Sequence, residues 1–358
     1  MTLDGIINIY KEENMTSHDV VGWVRRMLGV RRVGHTGTLD PMATGVLPIC
    51  VGRSARVTEY LDTDLKRYRC VMKLGRSTNT YDIWGETIDE ADASEINKVS
   101  EDDVRKAFSA FNGRMVQRPP LYSAVKVNGK RLYEYARKGR DVEIPEREVY
   151  ITSLEIEDMS LGAGYDSWIK FSCECTKGTF IRSICHDAGE ALGVHACLSE
   201  LVRTASGIFS EEDSVTLDEL RDICGRDGRS VNKTPLSEVS LDKLAGILHT
   251  PDEVLGFLGT VTVEQKDALR LINGLEIEPQ VYRVQKFPAY KEKDFYFSVR
   301  EEYKRLYRVY SSFDDDAEVP GRPNGVEWYP ASHDGLKFIG LAVMNEDNGH
   351  LIPEKIFI

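Results

Sequence analysis

Apolar and polar positions alternate with two different periods along this chain of 358 residues. Alternation at every second residue predicts strands, among them 4–11 and 66–75. Between these segments, apolar residues recur at helical spacing, with Thr16 suited to cap the first turn and Gly29 suited to end the helix. The same reasoning predicts further strands over 46–52, 147–156, 169–175 and on both sides of Asn348-Gly349, and further helices over 53–61, 101–111 and 264–271.

One stretch, residues 33–48, follows neither period. It holds three glycines, two prolines and three threonines, so its backbone path is closely fixed. Its acidic residue, Asp40, stands near His35 and Thr38, with Arg53 shortly downstream. Nearby positive charge keeps a carboxylate ionised, which makes Asp40 a candidate nucleophile or base. An aspartate followed by a proline equally fits a simple turn.

Charge is distributed unevenly along the chain. The formal net charge of −12 argues against a nucleic-acid-binding protein only if it is read as a bulk value. Cationic residues concentrate in 22–76 and 114–147, whereas acidic residues concentrate in 86–103, 211–222 and 314–318. The second basic segment also interleaves basic and aromatic side chains, as readers of single-stranded RNA require. We expect a basic surface beside the candidate site, although any single cluster also fits an ordinary solvated face.

Cysteine spacing and hydropathy suggest where the protein works. The seven cysteines lack the paired spacing of a zinc site, so we expect reduced thiols, no bound metal and a cytoplasmic location. No apolar run has the length of a membrane span, and the first residues do not resemble a signal peptide. Neither a phosphate-binding nor a dinucleotide-binding glycine motif is present, so no organic cofactor is expected.

The central stretch resembles the catalytic signature of a known family. Gly34-His35-Thr36-Gly37-Thr38-Leu39-Asp40-Pro41 and Ala43-Thr44-Gly45-Val46-Leu47-Pro48 are similar to that of the TruB family of tRNA pseudouridine-55 synthases. Further family motifs recur in the expected order over 66–75, 78–85, 117–139, 169–184 and 195–209. The resemblance is strong over residues 4–210 and weak over the last hundred residues.

This resemblance implies a fold and a domain organisation. The fold is α+β: a mixed, mostly antiparallel sheet flanked by helices in a catalytic domain over residues 1–250, with a thumb insertion at about 120–145. A small PUA-like β-barrel would follow over 251–358, with an expanded middle at 279–333. That expansion is rich in tyrosine and charge.

The resemblance also implies roles for individual residues at the reacting centre. Asp40 would be the catalytic carboxylate, either attacking C1′ of the ribose or removing a proton from C2′. Arg182 would pair with it, and Tyr68 would lie against the target base and is a candidate to take the C5 proton. Phe180 and Leu201 would enclose the base, with Phe180 standing where the family usually has tyrosine. Tyrosines in alternating strands are, however, most often core residues.

Other residues would bind the substrate RNA by the same resemblance. His35 would fill the gap that the flipped uridine leaves in the T-loop. Thr38 and Asp82 belong to the same expected binding set, as do the thumb cations Lys126, Lys130, Arg131 and Arg137. The segment 11–17 departs from the family pattern, because it lacks the usual proline and has Asn14 in place of glycine.

We predict an enzyme that converts one uridine in the T-arm of free tRNA. We expect it to be a monomer that needs no obligate protein partner and does not associate with a membrane. A guide-RNA-dependent synthase is a rival within the family, and the thumb segment argues against it. A tRNA-binding folding chaperone with secondary or lost catalysis is a rival from another class. The departures at Asn14 and Phe180 leave room for it, whereas Asp40, Tyr68 and Arg182 favour the enzyme.

Overall fold

The structure is a computed structural model that describes residues 3–61, 65–226, 228, 237–288, 301–313 and 335–357. The strands are β1 (Gly5–Lys11), β2 (Val33–His35), β3 (Thr44–Val51), β4 (Lys66–Leu74), β5 (Arg76–Thr78), β6 (Thr87–Glu90), β7 (Gly113–Gln117), β8 (Lys126–Val127), β9 (Lys130–Arg131), β10 (Arg147–Ser160), β11 (Trp168–Cys175), β12 (Ala196–Ser206), β13 (Phe209–Ser210), β14 (Leu248–His249), β15 (Gly259–Val263), β16 (Tyr282–Lys286), β17 (Leu306–Ser311), β18 (Lys337–Met344) and β19 (Leu351–Ile356). The α-helices are α1 (Ser17–Leu28), α2 (Ala93–Ile96), α3 (Glu101–Ser109), α4 (Leu132–Ala136), α5 (Ile181–Leu192), α6 (Leu217–Cys224), α7 (Glu238–Ala245), α8 (Pro251–Val254) and α9 (Gln265–Ile272).

A ten-stranded sheet forms the body of the first 250 residues. Its strand order is β14-β1-β3-β12-β4-β11-β10-β7, with β13 paired to β12 and β2 paired to β3. Adjacent strands run antiparallel except β12 and β3, which are parallel. Apolar side chains of α1, α3, α5 and α6 pack with the sheet in one hydrophobic core. This mixed, mostly antiparallel sheet with helices confirms the predicted α+β class.

Helix α1 begins and ends where the sequence predicts. The Thr16 hydroxyl accepts a hydrogen bond from the amide of Asp19, and the Asp19 carboxylate accepts one from the amide of Thr16 at 2.8 Å. This reciprocal capping box satisfies amides that have no partner inside the helix. Gly29 ends the helix with φ of 68°, in the left-handed region that glycine adopts without strain.

Most predicted elements are present, with two differences. Strands β1, β4 and β11 and helices α3 and α9 coincide with predicted segments. Residues 53–61, predicted as a helix, lie in a 3-10 helix over Gly52–Glu59 instead of an α-helix. The strand predicted over 147–156 continues to Ser160. The prediction missed this extension because residues 157–160 are polar or half-exposed, whereas β10 is stabilised there by pairing with β11.

The C-terminal part of the chain contains a second sheet. Its strand order is β16-β15-β17-β18-β19, and it is open among the residues that the structure describes. The predicted closed PUA-like barrel therefore stays a prediction. Residues 289–300 and 314–334, which make up most of the expected expansion, lie outside the described residues. Within the described ranges, no helix is both long and apolar enough to cross a bilayer.

Buried apolar side chains from the two sheets pack together in one hydrophobic core. A second hydrophobic core combines Val46 and Cys50 of β3 with Leu306, Phe338 and Phe357 from the C-terminal part. The strand that leaves the Asp40 loop is therefore packed on one side by residues from the far end of the chain. One hydrophobic core therefore crosses the boundary near residue 250, whereas the main core lies before it and a third core, which includes Val261 and Leu351, lies after it.

Candidate active site

A carboxylate and a guanidinium face each other where the β2–β3 loop meets the start of α5. Arg182 Nε lies 2.8 Å from Asp40 Oδ2, and Arg182 Nη2 donates a hydrogen bond of 3.1 Å to Asp40 Oδ1. The Arg182 side chain is 4% exposed, whereas that of Asp40 is 33% exposed. The arginine is therefore part of the protein interior, and the carboxylate it holds is open to a substrate.

Arg182 is held by more than Asp40. Its Nη1 donates a hydrogen bond of 2.9 Å to the Thr80 carbonyl, and its Nη2 donates one of 3.1 Å to the Tyr122 carbonyl. Nη1 also lies 3.6 Å from Asp82 Oδ2. A guanidinium has five N–H donors in a rigid plane, so these contacts fix its orientation as well as its position.

Asp82 is the second carboxylate beside Arg182, and it is buried. It accepts hydrogen bonds from the Thr80 hydroxyl at 2.8 Å and from the Trp84 amide at 3.1 Å. Burial raises the pKa of the Asp82 carboxyl above its ordinary value, and the Thr80 hydrogen bond and the charge of Arg182 oppose that rise. The two carboxylates therefore differ in environment, with Asp40 open and Asp82 enclosed.

The loop that carries Asp40 is fastened from the N-terminal segment. The buried Ser17 hydroxyl accepts a hydrogen bond from the Leu39 amide at 2.8 Å and donates one to the Leu39 carbonyl at 3.1 Å. The Asn14 amide donates to the Pro41 carbonyl at 3.0 Å. Asn14 has φ of 65°, and asparagine tolerates this left-handed conformation better than most residues. The departure from the family's glycine is thus compatible with the same turn.

Lys11 lies under the same loop and is fully buried. Its ammonium group donates hydrogen bonds to the carbonyls of Glu12 at 2.8 Å and Pro41 at 3.3 Å. Burial lowers the pKa of Lys11 to about 8, and the charge of Asp40 partly opposes this shift. A buried ammonium group therefore supports the loop, although the burial of its positive charge is energetically unfavourable.

Arg203 of β12 supports the other side of the loop, and the sequence analysis assigned it no role. Its side chain is 1% exposed and donates hydrogen bonds to the carbonyls of Val46 at 2.7 Å and Gly37 at 3.1 Å. Gly45 passes so close that an added Cβ would lie 2.3 Å from the Arg203 carbonyl oxygen. The available signal was an arginine on a strand two positions after an apolar site residue, Leu201.

Tyr68 of β4 lies opposite Arg203 on the neighbouring strand β12. Its ring packs against the main hydrophobic core but remains half-buried. Burial raises the pKa of the Tyr68 hydroxyl above its ordinary value, and the Arg203 guanidinium acts against that rise. The hydroxyl is therefore protonated at neutral pH and can donate a hydrogen bond.

The remaining predicted residues lie around this centre with different exposures. Phe180 is half-buried at the N-terminal boundary of α5, and Leu201 is buried on β12 beside Cys70 of β4. His35 is half-buried at the end of β2, and Thr38 is exposed in the loop. Burial and the charge of Arg203 lower the pKa of His35, which keeps its imidazole neutral.

The predicted thumb forms a small hairpin followed by a short helix. Strands β8 and β9 pair with each other, and α4 follows directly. The Arg131 and Arg137 guanidinium groups lie 5.9 and 5.4 Å from the centre of the Tyr133 ring. The four cations predicted to bind RNA are all exposed: Lys126, Lys130, Arg131 and Arg137. The thumb thus presents positive charge to solvent without partners that bury it.

Comparison with known proteins places this geometry in a family. The family model described as TruB family pseudouridylate synthase, N-terminal domain, matches residues 25–181. The model described as tRNA pseudouridylate synthase B C-terminal domain matches residues 182–245. The tRNA pseudouridine synthase B of Bacillus pumilus (strain SAFR-032) is 41% identical over 271 residues, which cover 71% of this chain and 86% of that relative. The chain belongs to the TruB family.

Other TruB relatives match comparable lengths of the chain. The tRNA pseudouridine synthase B of Symbiobacterium thermophilum is 43% identical over 273 residues, or 76% of this chain and 83% of the relative. That of Clostridium perfringens (strain 13 / Type A) is 37% identical over 309 residues, or 86% of this chain and 91% of the relative. Family membership makes this chain a pseudouridine synthase, an isomerase.

Solved structures are similar to the TruB chain in fold. A chain of a Cbf5-Nop10-Gar1 complex superposes with a TM-score of 0.64 at 23% identity, covering 99% of this chain and 85% of that one. A chain of an H/ACA RNP bound to a substrate RNA containing 2′-deoxyuridine superposes with a TM-score of 0.63 at 21% identity, again covering 99% and 85%. At such identities these likenesses support the pseudouridine synthase fold alone.

Proposed function

We propose that this protein is a tRNA pseudouridine synthase that isomerises one uridine in the T-loop of tRNA, with Asp40 as the catalytic carboxylate. The observation that carries the assignment of Asp40 is its pairing with buried Arg182, which leaves the carboxylate 33% exposed and aimed by two guanidinium atoms. Relatives named tRNA pseudouridine synthase B support tRNA as the substrate. The exposed cations of the thumb support binding of an RNA stem-loop.

The reaction rearranges bonds within one nucleotide and needs no oxidant. The bond between C1′ and N1 of uracil breaks, the base rotates, and a bond between C1′ and C5 forms. The proton on C5 leaves, and N1 carries a proton in the product. Asp40 acts at the ribose, and Arg182 holds its carboxylate in a fixed orientation through every step.

Side chains around Asp40 are proposed to hold the extruded base. The Tyr68 ring stacks on the base and its protonated hydroxyl donates to the base edge, while Phe180 and Leu201 exclude water. Phe180 supplies a ring without the hydroxyl of a tyrosine. His35 stands in the gap that the extruded uridine leaves, where its neutral imidazole can stack on a base.

The wider organisation of the protein is proposed along the same lines. Residues 1–250 form the catalytic domain with its thumb at about 120–145, and residues 251–358 form a PUA-like RNA-binding domain. Thr38 and the thumb cations contact substrate RNA, whereas the buried Asp82, predicted for the same set, instead supports Arg182 from inside the protein. A monomer acting in the cytoplasm fits a tRNA substrate, and all seven cysteines are free and buried, as expected for reduced thiols.

A T-arm stem-loop transcript tests this proposal directly. Incubation with the protein, followed by chemical labelling of pseudouridine and primer extension, is expected to show conversion at one T-loop uridine. The Asp40→Asn variant keeps the size of the side chain but removes its negative charge, and we expect conversion to fall by at least about 1,000-fold. Glu174→Gln, which neutralises a half-buried carboxylate paired with Arg67 at 2.5 Å on β11, is the matched control.

Two outcomes would contradict the proposal. Tight binding of the transcript without conversion by the parent protein would favour the chaperone function. Equal conversion by the parent and Asp40→Asn would remove Asp40 from the chemistry while leaving the family assignment intact.

A further inference from the structure

The segment that leads into the thumb is fastened to the first turn of α5. The Ser183 hydroxyl donates a hydrogen bond of 2.9 Å to the Arg118 carbonyl. Arg182 Nη2 donates to the Tyr122 carbonyl at 3.1 Å, and it also binds Asp40. The path of residues 117–122 is thus in direct contact with the arginine that orients the catalytic carboxylate.

Gln117 makes the closest of these connections. Its Nε2 donates a hydrogen bond of 2.9 Å to the Phe180 carbonyl, and its Oε1 accepts one of 2.8 Å from the Phe180 amide. The side chain is 1% exposed. A carboxamide that bonds both backbone groups of one residue fixes that residue's position and orientation. An apolar replacement leaves the Phe180 amide without this acceptor, whereas the Phe180 carbonyl keeps the amides of Ser183 and Ile184 as donors.

The backbone on both sides of this contact is stiff. Gln117 is the last residue of β7, and the two prolines that follow Arg118 are buried. Proline fixes φ and also restricts the residue before it. On the other side, Phe180 is the residue from which α5 begins, two positions before Arg182. Because the backbone is stiff on both sides, we expect a displacement of Gln117 or Phe180 to displace the Arg182 guanidinium as well.

We propose that Gln117 is a positioning residue of this pseudouridine synthase, which holds Phe180 against the base and, through the first turn of α5, holds Arg182 against Asp40. Because Gln117 also ends the strand that carries the thumb, it couples the position of the thumb on the RNA to the geometry of the carboxylate. This proposal rests on the function proposed above for the same site.

Replacement of Gln117 by methionine tests the coupling. Gln117→Met preserves side-chain volume and removes both hydrogen bonds to Phe180. We expect kcat on the T-arm transcript to fall by about 10- to 100-fold, because small displacements of reacting groups have effects of that size. KM and RNA affinity should stay within about threefold of the parent values, since the exposed thumb cations are unchanged. Ser183→Ala, which removes one bond of the same set, should show a smaller loss in kcat.

A second variant gives a readout that a purely structural role would not produce. In Gln117→Glu the carboxylate accepts from the Phe180 amide but faces the Phe180 carbonyl without a proton to donate. Once protonated, the carboxyl group restores both hydrogen bonds, and burial favours that form. The ratio of kcat for Gln117→Glu to kcat for the parent should therefore rise as pH falls from about 8 to about 6. The same ratio for Gln117→Met should stay flat.

Asn8→Leu is the matched control for stability. Asn8 is a buried carboxamide whose Nδ2 donates a hydrogen bond of 2.8 Å to the Ser210 carbonyl in the same sheet. Loss of this hydrogen bond should leave kcat within about twofold of the parent value. The proposal is overturned if Gln117→Met raises KM while kcat is unchanged, if Gln117→Glu shows no pH-dependent recovery, or if Asn8→Leu lowers kcat equally. Absence of conversion by the parent would instead overturn the proposed function, and this proposal with it.

Discussion

Lys11 is a charged side chain in the protein interior, where its ammonium group binds backbone carbonyl groups. Its ammonium group binds the Pro41 carbonyl next to Asp40, in a position with no access to solvent. Removing an ammonium from water is unfavourable, and burial accordingly lowers its pKa to about 8. The positive charge near Asp40 is therefore present at neutral pH and is lost in mildly alkaline solution.

This shift predicts a pH dependence of stability. The pKa of Lys11 is about 8 in the folded protein against 10.5 in the unfolded chain, so between those values only the unfolded chain keeps the proton. The free energy of unfolding of the parent should rise relative to that of Lys11→Met by up to about 3 kcal/mol from pH 8 to pH 10.5. Below pH 8 the difference should be constant.

Urea unfolding of both proteins at pH 7, 8, 9 and 10.5 measures this difference. Lys98→Met, which removes an exposed lysine, should follow the parent at every pH. Parallel curves for the parent and Lys11→Met would show that the ammonium group has access to water.

Individual residues were predictable from the sequence where a local motif names them. Asp40, Tyr68 and Arg182 each lie within such a motif, and the structure brings Asp40 and Arg182 into contact. Their roles in catalysis stay predictions until tested. The supports of the site were not predictable, because their partners are far away in sequence: Arg203 binds Gly37 across 166 positions, and Gln117 binds Phe180 across 63. A single sequence does not distinguish a buried arginine from an exposed one.

At the scale of elements, the turn before α1 shows how a departure from the family can keep the fold. Asn14 occupies the position where the family has glycine, and its φ of 65° requires a residue that tolerates the left-handed region. Its amide supports the Asp40 loop through the Pro41 carbonyl. The identity of this one exposed residue thus bears on the position of the Asp40 loop.

Replacement of Asn14 tests whether the left-handed conformation at this position stabilises the turn. Asn14→Ala should lower the free energy of unfolding by about 1 kcal/mol, because alanine resists positive φ. Asn14→Gly should change it by less than about 0.5 kcal/mol, since glycine adopts this conformation freely. Glu13→Ala, at the exposed neighbouring position, is the control. Equal loss in the alanine and glycine variants would mean that the Asn14 side chain, rather than its backbone conformation, stabilises the turn.

Elements were predictable where periodicity or caps are strong. Strands β1, β4 and β11 and helix α1 were found from alternation and capping residues. A helix was predicted over 53–61, and Gly52–Glu59 forms one of the 3-10 type. The type was not predictable, since the 3-10 and α-helical patterns differ little over eight residues and packing decides between them. Closure of the C-terminal sheet could not be predicted from periodicity, because edges are set by pairing between distant strands.

At the scale of the whole molecule, charge is arranged so that an acidic protein can bind RNA. The net charge is −12, yet the thumb presents four exposed cations in residues 126–137. Contacts between cations and phosphates release counterions, so binding of such a surface weakens as salt concentration rises. We therefore expect the local charge of the thumb to affect RNA binding more than the net charge does.

Neutralising two thumb cations tests this. In the double variant Lys130→Gln with Arg137→Gln, the slope of log affinity for the T-arm transcript against log salt concentration should become shallower by about 1 to 2. Filter binding from about 50 to about 200 mM salt measures the slope. Lys98→Gln with Lys106→Gln changes the net charge equally, at exposed positions in and next to the acidic segment 86–103, and should leave the slope unchanged. An equal change in both double variants would mean that only net charge matters.

The hydrophobic core shared by the two sheets has a consequence during synthesis of the chain. Val46 and Cys50 of β3 lie in a cluster with Leu306, Phe338 and Phe357, which are synthesised long after β3. Domains generally fold from the N-terminus as they emerge. Here, however, β3, the strand that follows the Asp40 loop, obtains its full packing only once residues 306–357 have been synthesised. A nascent chain stalled before residue 306 would carry every residue proposed for catalysis and still lack the C-terminal side chains that pack against Val46 and Cys50.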